Sequence, residues 1–501
     1  MLKERELAPR GPAAGRRGRG WIEHWDPEDE TFWQAEGKRI ARKNLALSIF
    51  TDHLGFCIFV VWTSVVINLA NMGIVLTLSQ QFLLTLIPNL VGSALRIPYT
   101  FALPRFGGRR WTTFSAGVLL LPALLLAVVV PGGWLAHQAP GAQFWVLFAC
   151  AATAGLGGGI FASSMANISF FYPEQEKGFA LGLNAAGGNL GVAVSQLFVP
   201  LVIIIGVSSQ LVALPKHPVH MAYAGWVFVP LIALAAAGAW WLMDSLREAR
   251  SDGRAYAMAV RNPATWLLSF LYVGTFGSFI GFSFALPLVI KNTFPEFLGH
   301  HPFIATYLGG LGFMGALIGS LARPLGGGLS DRVGGAKVTL AVFAAMAVAT
   351  AAAAIGVQHR SFGLFFGSYM VVFLLSGLGN GSIYKMIPSV FAAYGRRHAA
   401  DAGIPPQSVA GGFKRQAAAV IGIAGAIGAF GGVLVQVVFR QASLHVSALV
   451  KAATTPAAKL TVAVAHANWS VPALWVFLGA YVVFAVVTWA AFLRRPAEAP
   501  I

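Results

Sequence analysis

Charge is scarce in this 501-residue chain, of which only 11% is Asp, Glu, Lys or Arg. Soluble domains carry ~25%, and one this poor in charge could not cover its own surface. Acid is the scarcer sign, 18 Asp and Glu against 35 Lys and Arg. Cysteine is nearly absent. Cys57 and Cys150 lie far apart in apolar runs, which excludes a disulfide framework and a cysteine metal site. Of eleven His, only His53 falls clearly within an apolar run, too few for membrane haem ligation. P-loop, metal-cluster and nucleophile motifs are missing as well. The expectation is therefore no enzyme, no cofactor and no metal. Strand alternation is also missing, which argues against a β-barrel. A cleavable signal peptide is not expected: the first long apolar run starts near Leu45, after 44 polar residues, and exceeds an h-region.

What is abundant is apolar length. Hydrophobic residues make up 57% of the chain. Twelve apolar segments can be read, at roughly 45–69, 79–103, 111–131, 143–172, 179–206, 221–243, 265–290, 303–329, 338–357, 361–391, 416–439 and 470–493. Each suits a helix crossing a ~30 Å hydrocarbon core. The expected fold class is an all-α membrane protein of twelve transmembrane helices. The net charge of +17 is then a matter of topology rather than of nucleic acid. With the N-terminus inside, the segments on that side hold 26 of the 35 Lys and Arg, and the outer loops hold six. That bias places both termini in the cytoplasm. The expected division is a cytoplasmic segment 1–44, a six-helix bundle 45–243, a linker 244–264, a second bundle 265–493 and a cytoplasmic tail 494–501. The partners expected are the lipid bilayer and a small solute, with the chain a monomer. Trp21, Trp25 and Trp33, set among charges, are candidates for lying on the inner membrane surface. The outer loop 441–469 is long and carries no motif.

The halves repeat. Arg96 is followed eleven residues later by Gly107-Gly108 and then Arg109-Arg110; Arg323 is followed eleven residues later by Gly334-Gly335 and then Lys337. Equal spacing points to a parallel internal repeat, the six-plus-six layout of major facilitator transporters, whose site lies near the midplane between halves. Gly328 to Lys337 matches the loop motif of that superfamily. Its Asp331 and Arg332 would lock one conformation by pairing with a helix end.

Three cations lie inside apolar segments: Arg96, Arg323 and Lys385. An arginine in hydrocarbon faces the bundle interior and needs a partner. The clear acid within the spans is Asp52, which cannot neutralise three cations. A substrate anion is the better partner, and a planar, forked guanidinium suits a small planar oxyanion. Phe161 and Tyr384 each follow a glycine cluster in segments 4 and 10, which are repeat mates. The two rings either sandwich a flat anion or simply pack. Gly182, Gly187, Gly188 and Gly191 in segment 5, and Gly422, Gly425, Gly428 and Gly431 in segment 11, form small-residue faces. Such faces serve static packing or helix sliding equally well. Asn189 either donates to the anion or bonds a neighbouring helix. Asp52 and His53, titratable at membrane depth, either mark a proton path or sit in water at a cavity mouth. Lys385 either contacts the anion or pairs with Asp52.

From about Trp25 to Ala490 the chain resembles the NarK-type nitrate/nitrite porter family of the major facilitators. Its specific blocks are Phe161 to Pro173 continuing through Gly178 to Gly191, Ala417 to Gly432, Gly107 to Trp111, and Tyr272 to Phe282. The resemblance implies that Arg96 and Arg323 bind nitrate or nitrite, that Phe161 and Tyr384 sandwich it, and that Asn189, Tyr272 and Phe276 complete the site. It also implies transport across an inner membrane by proton-coupled nitrate symport or by nitrate/nitrite exchange. The Asp52-His53 pair and Lys385 look more like the symporting branch. A carrier of another small planar anion is the remoter reading.

Overall fold

The computed structural model describes residues 21–205, 219–247, 253–453 and 455–494. Twelve long helices follow one another. They are α1 Glu30–Met72, α2 Leu78–Phe106, α3 Gly108–Val129, α4 Pro140–Phe171, α5 Gln175–Ile203, α6 Tyr223–Leu242, α7 Pro263–Thr293, α8 Phe313–Val333, α9 Gly335–Gln358, α10 Phe362–Ala402, α11 Pro406–Ala452 and α12 Val471–Leu493. Eleven are long and apolar enough to cross a membrane. The remaining one, α8, carries Arg323, Asp331, Arg332 and a run of glycines over its 21 residues. One face of it, with Gly315, Gly319, Arg323 and Gly326, is buried, while Leu321, Leu325 and Leu329 on the other are exposed.

The repeat read from the sequence is present in three dimensions. In the first half α2 packs on α4, α1 on α5 and α3 on α6; in the second α8 packs on α10, α7 on α11 and α9 on α12. The halves meet through α2 against α11 and α5 against α8, which are mates under the same symmetry. The turns agree too. Gly107 ends α2 at φ 80°, ψ 153°, and Gly334 ends α8 at φ 99°, ψ 132°. Only glycine takes that backbone without a Cβ clash, so the Gly-Gly pairs at equal spacing encode one sharp turn used twice.

Several boundaries differ from the sequence reading. α1 begins at Glu30, capped by Asp29, whose carboxylate accepts from the Thr31 and Phe32 amides. The last part of the polar segment, residues 30–44, is thus the start of the first long helix. The tryptophans are not spread on a membrane surface. Trp25 and Trp33 are buried in a small second core with Phe32, Phe171, Tyr172 and Leu246. Trp25 meets Phe171 edge-on at 5.4 Å, and Trp33 meets Tyr172 at 5.6 Å. A short parallel pairing, β1 Trp21–Ile22 with β2 Ser245–Leu246, fastens this segment to the linker. Part of the linker is a helix, Gly253–Arg261. The stretch 441–469 is mostly helical, formed by the end of α11 and Pro456–Ala465. The 1–20 stretch and the tail from 495 lie outside the described residues, as do Lys216 in the outer tally and Glu248, Arg250 and Asp252 in the linker.

Among the described residues, five hydrogen bonds join the halves at or beyond the level of the two arginines, on the side away from the linker. On α2 and α11, Arg96 donates to the Gly425 carbonyl at 2.7 Å, Thr85 to Gln436 at 2.9 Å, and the Ser79 amide to Ser447 at 3.1 Å. Gln196 of α5 donates to the Ser283 carbonyl at 2.7 Å, and Lys291 to the Ile67 carbonyl.

Candidate anion site

The two intramembrane arginines converge on one pair of rings. The Arg96 guanidinium carbon lies 4.9 Å from the centre of Phe161 and 5.2 Å from that of Phe276. That of Arg323 lies 6.0 Å and 5.9 Å from the same rings. Phe161 and Phe276 are near parallel, 18° apart with centroids at 6.3 Å. Arginine over an aromatic face gains from the ring quadrupole, more so when desolvated, and both arginines are buried.

The supports differ. Arg96 is held by backbone: Nε donates to the Gly158 carbonyl at 3.2 Å and Nη1 to that of Gly425. Arg323 is held by side chains: Nη2 donates to the Tyr272 hydroxyl at 3.1 Å, and its guanidinium lies 4.7 Å from the Tyr384 ring. Neither has a carboxylate partner among the described residues. One nitrogen of each, Arg96 Nη2 and Arg323 Nη1, is buried with no acceptor. Unpaired buried donors on permanent cations are costly, and an oxyanion with several acceptor atoms can satisfy both.

Local backbone sets the rings. α7 makes one π-type turn over Val273–Gly277, a feature common at functional sites. It leaves Tyr272 and Phe276 stacked at 5.2 Å and 3°. Phe161 follows Gly157-Gly158-Gly159, where α4 runs close against α1 and α2: Gly157 meets the Gly55 backbone, Gly158 the Phe59 ring and Gly92, and Gly159 the side chains of Leu95 and Tyr99. Tyr384 sits 48° to Tyr272 and faces Arg323. The parallel partner of Phe161 is therefore Phe276, whereas the resemblance implied a sandwich with Tyr384. A π-turn in one half is not visible in residue spacing.

Asp52 is fully buried with neither oxygen hydrogen-bonded, and it lies within electrostatic range of Arg96. His53 Nδ1 is 2.9 Å from the Gly187 carbonyl. Asn189 is buried with Oδ1 unpartnered and makes no described bond to either arginine. Lys385 departs from expectation. It is half-exposed at the linker end, paired with Asp331 at 2.9 Å, and meets neither Asp52 nor the ring pair. Asp331 thus bonds within its own half, and Arg332 is exposed. The glycines divide by contact. Gly187, Gly188 and Gly191 abut α1; Gly428 and Gly431 abut α7; Gly182, Gly422 and Gly425 face looser space. Asn89, on the Arg96 face of α2 beside Gly432, was not singled out, although both its side-chain polar atoms are buried and unpaired. Its spacing of seven from Arg96 was the available signal.

The model of the Major Facilitator Superfamily matches residues 45–404. The chain belongs to that superfamily. This facilitator is 36% identical over 482 residues to the "Nitrate/nitrite transporter NarU" of Escherichia coli, covering 95% of this chain and 96% of the relative. It is 34% identical over 426 residues to the "Probable nitrate/nitrite antiporter NarK2" of Thermus thermophilus, covering 82% and 87%. Among solved structures it resembles a bacterial homologue of the human lysosomal transporter Spinster, inward-facing and occupied. The TM-score there is 0.61 at 17% identity, over 91% of this chain and 98% of that one. The facilitator fold is thus confirmed, and the chain is a transporter rather than an enzyme.

Proposed function

We propose that this facilitator carries nitrate and nitrite across the cell's inner membrane by alternating access, with both termini in the cytoplasm. The observation that carries the reading is the pair of buried arginines with one unpaired nitrogen each, set about Phe161 and Phe276 in a relative of NarU. A flat, singly charged oxyanion fits between forked donors and ring faces. Tyr272 and Tyr384 hold Arg323 in place, and Asn189, buried on α5 with its Oδ1 unpartnered, is a further candidate for the anion. Bonds between the halves on the side away from the linker support a state closed at the outer face.

Proton coupling is the favoured mode, and Asp52 is its carrier. Nitrate entering alone against a negative interior costs about 2.3 kcal/mol per 100 mV, and two accompanying protons reverse the sign. Charge makes the two ligands cooperate. A bound anion offsets Arg96, so less positive field opposes a proton on Asp52. Exchange is the second reading, favoured by the mutual repulsion of Arg96 and Arg323 and by the NarK2 relative named an antiporter.

The test is nitrate uptake into proteoliposomes. Uptake driven by an inward proton gradient into empty vesicles, lost in Asp52→Asn, supports symport. Uptake that needs internal nitrite supports exchange and leaves Asp52 structural. No movement of nitrate under either condition would overturn the substrate reading.

A further inference from the structure

We propose that a column of buried polar side chains along one face of α1 conducts protons between Asp52 and the linker end of the protein. The inference rests on the proton-carrying role of Asp52. Asn44, Ser48 and Asp52 are spaced four apart and so share a helix face; they are 0%, 2% and 0% exposed. Neighbouring helices add to the same column. Ser48 Oγ is 2.9 Å from Ser164 Oγ of α4, which accepts from Asn184 of α5 at 2.6 Å. Asn184 lies one turn from Gly188, and Gly188 abuts a carboxylate oxygen of Asp52. The Ser48, Ser164 and Asn184 cluster is therefore one turn from Asp52, on its linker side.

The next turn reaches water. Asn44 donates to Asp244 at 3.1 Å and accepts from the Asp244 amide at 2.9 Å. Asp244 pairs with Lys43 at 2.7 Å, and the Lys43 side chain is 38% exposed. Polar groups in a membrane interior face the bundle and mark ion or proton routes. Asp52 is closed off from solvent, so a proton bound there needs such a route. Along it, each hydroxyl accepts a proton on its oxygen and passes its own onward, with water bridging the turns. One proton leaves Asp52 as a carboxylate and reaches bulk water beside Lys43. The unpartnered Oδ1 of Asn184 and both oxygens of Asp52 are the free acceptors of the line. Of the charged groups facing Asp52, α2 contributes Arg96. His53 is its neighbour on α1, and its Nδ1 is taken by the Gly187 carbonyl. α4 carries no charged residue, and the charges of α5 lie in its first turn.

The test uses full-length protein in proteoliposomes with the double variant Ser48→Ala, Ser164→Ala, which only trims hydroxyls. Uptake driven by a proton gradient should fall roughly tenfold or more, as for loss of a proton-transfer group, while nitrate/nitrite exchange persists. Ser48→Thr, which keeps the hydroxyl, should retain the uptake. If the double variant loses uptake and exchange together, the cluster is structural packing and the column is overturned. If Asp52→Asn abolishes proton-driven uptake and the double variant does not, the column is wrong and Asp52 stands. If Asp52→Asn itself leaves that uptake intact, the coupling role falls first and takes the column with it.

Discussion

Arg96 and Arg323 occupy equivalent places in the two halves, yet they are held by opposite means. Arg96 is fixed by two carbonyls, Gly158 in its own half and Gly425 in the other. Arg323 is fixed by a hydroxyl and a ring within its own half. The lesson is that repeat symmetry placed the charges and then let their roles diverge. Arg96 both faces the site and ties the halves together, whereas Arg323 faces the site from a wall of tyrosines.

The sharpest way to break this comparison is removal of either charge. Arg96→Gln and Arg323→Gln should each lower nitrate uptake in proteoliposomes by about 100-fold or more, since truncating a buried charged partner costs about 2–5 kcal/mol. Lysine separates the two. Arg323→Lys should keep about a tenth of the activity, because a point charge still meets the anion. Arg96→Lys should be nearly as damaging as the Gln variant, because one ammonium cannot span two carbonyls on different helices and also reach the anion. Equal loss in the two Lys variants would dissolve the distinction.

A smaller effect is expected at the rings. Phe276→Ala should weaken nitrate binding about tenfold, from the loss of ring contacts worth roughly 1–2 kcal/mol to the arginines. Titration of tryptophan fluorescence with nitrate measures this, and no change would remove Phe276 from the site. Tyr272→Phe leaves Arg323 Nη2 without its acceptor and should cost about threefold to tenfold in the KM for nitrate, the value of one buried hydrogen bond. Least of all should follow from Lys385→Gln. An exposed ion pair is worth about 0–1 kcal/mol, so nitrate affinity should move by less than about twofold. A large loss would return Lys385 to the site, from which the structure removes it.

The site was legible in the sequence only to a point. Arg96, Arg323, Phe161, Tyr272, Phe276 and Tyr384 do gather in one place, because permanent charges in apolar runs have few tolerable positions. Lys385 misled for a matching reason. α10 is 41 residues long and runs past the membrane, so an apolar neighbourhood in sequence is not depth in space. Trp25 and Trp33 misled because amphipathic aromatics suit a lipid interface and also a small protein core. The partners that fix Arg96 were out of reach, since carbonyl oxygens are common to every residue and leave no mark in a sequence.

The sequence by itself determined the membrane-spanning class, the twofold repeat and its glycine turns, and the two arginines that must face an interior. These follow from local physics: hydropathy over about 20 residues, the backbone freedom of glycine, and the cost of charge in hydrocarbon. Only the tertiary structure decided which ring lies parallel to Phe161, what holds each guanidinium, where Asp331 finds its partner, and that Asn44, Ser48 and Asp52 continue into Ser164 and Asn184. Those depend on the rotation of whole helices about their axes, which is set by the packing of faces far apart in the chain.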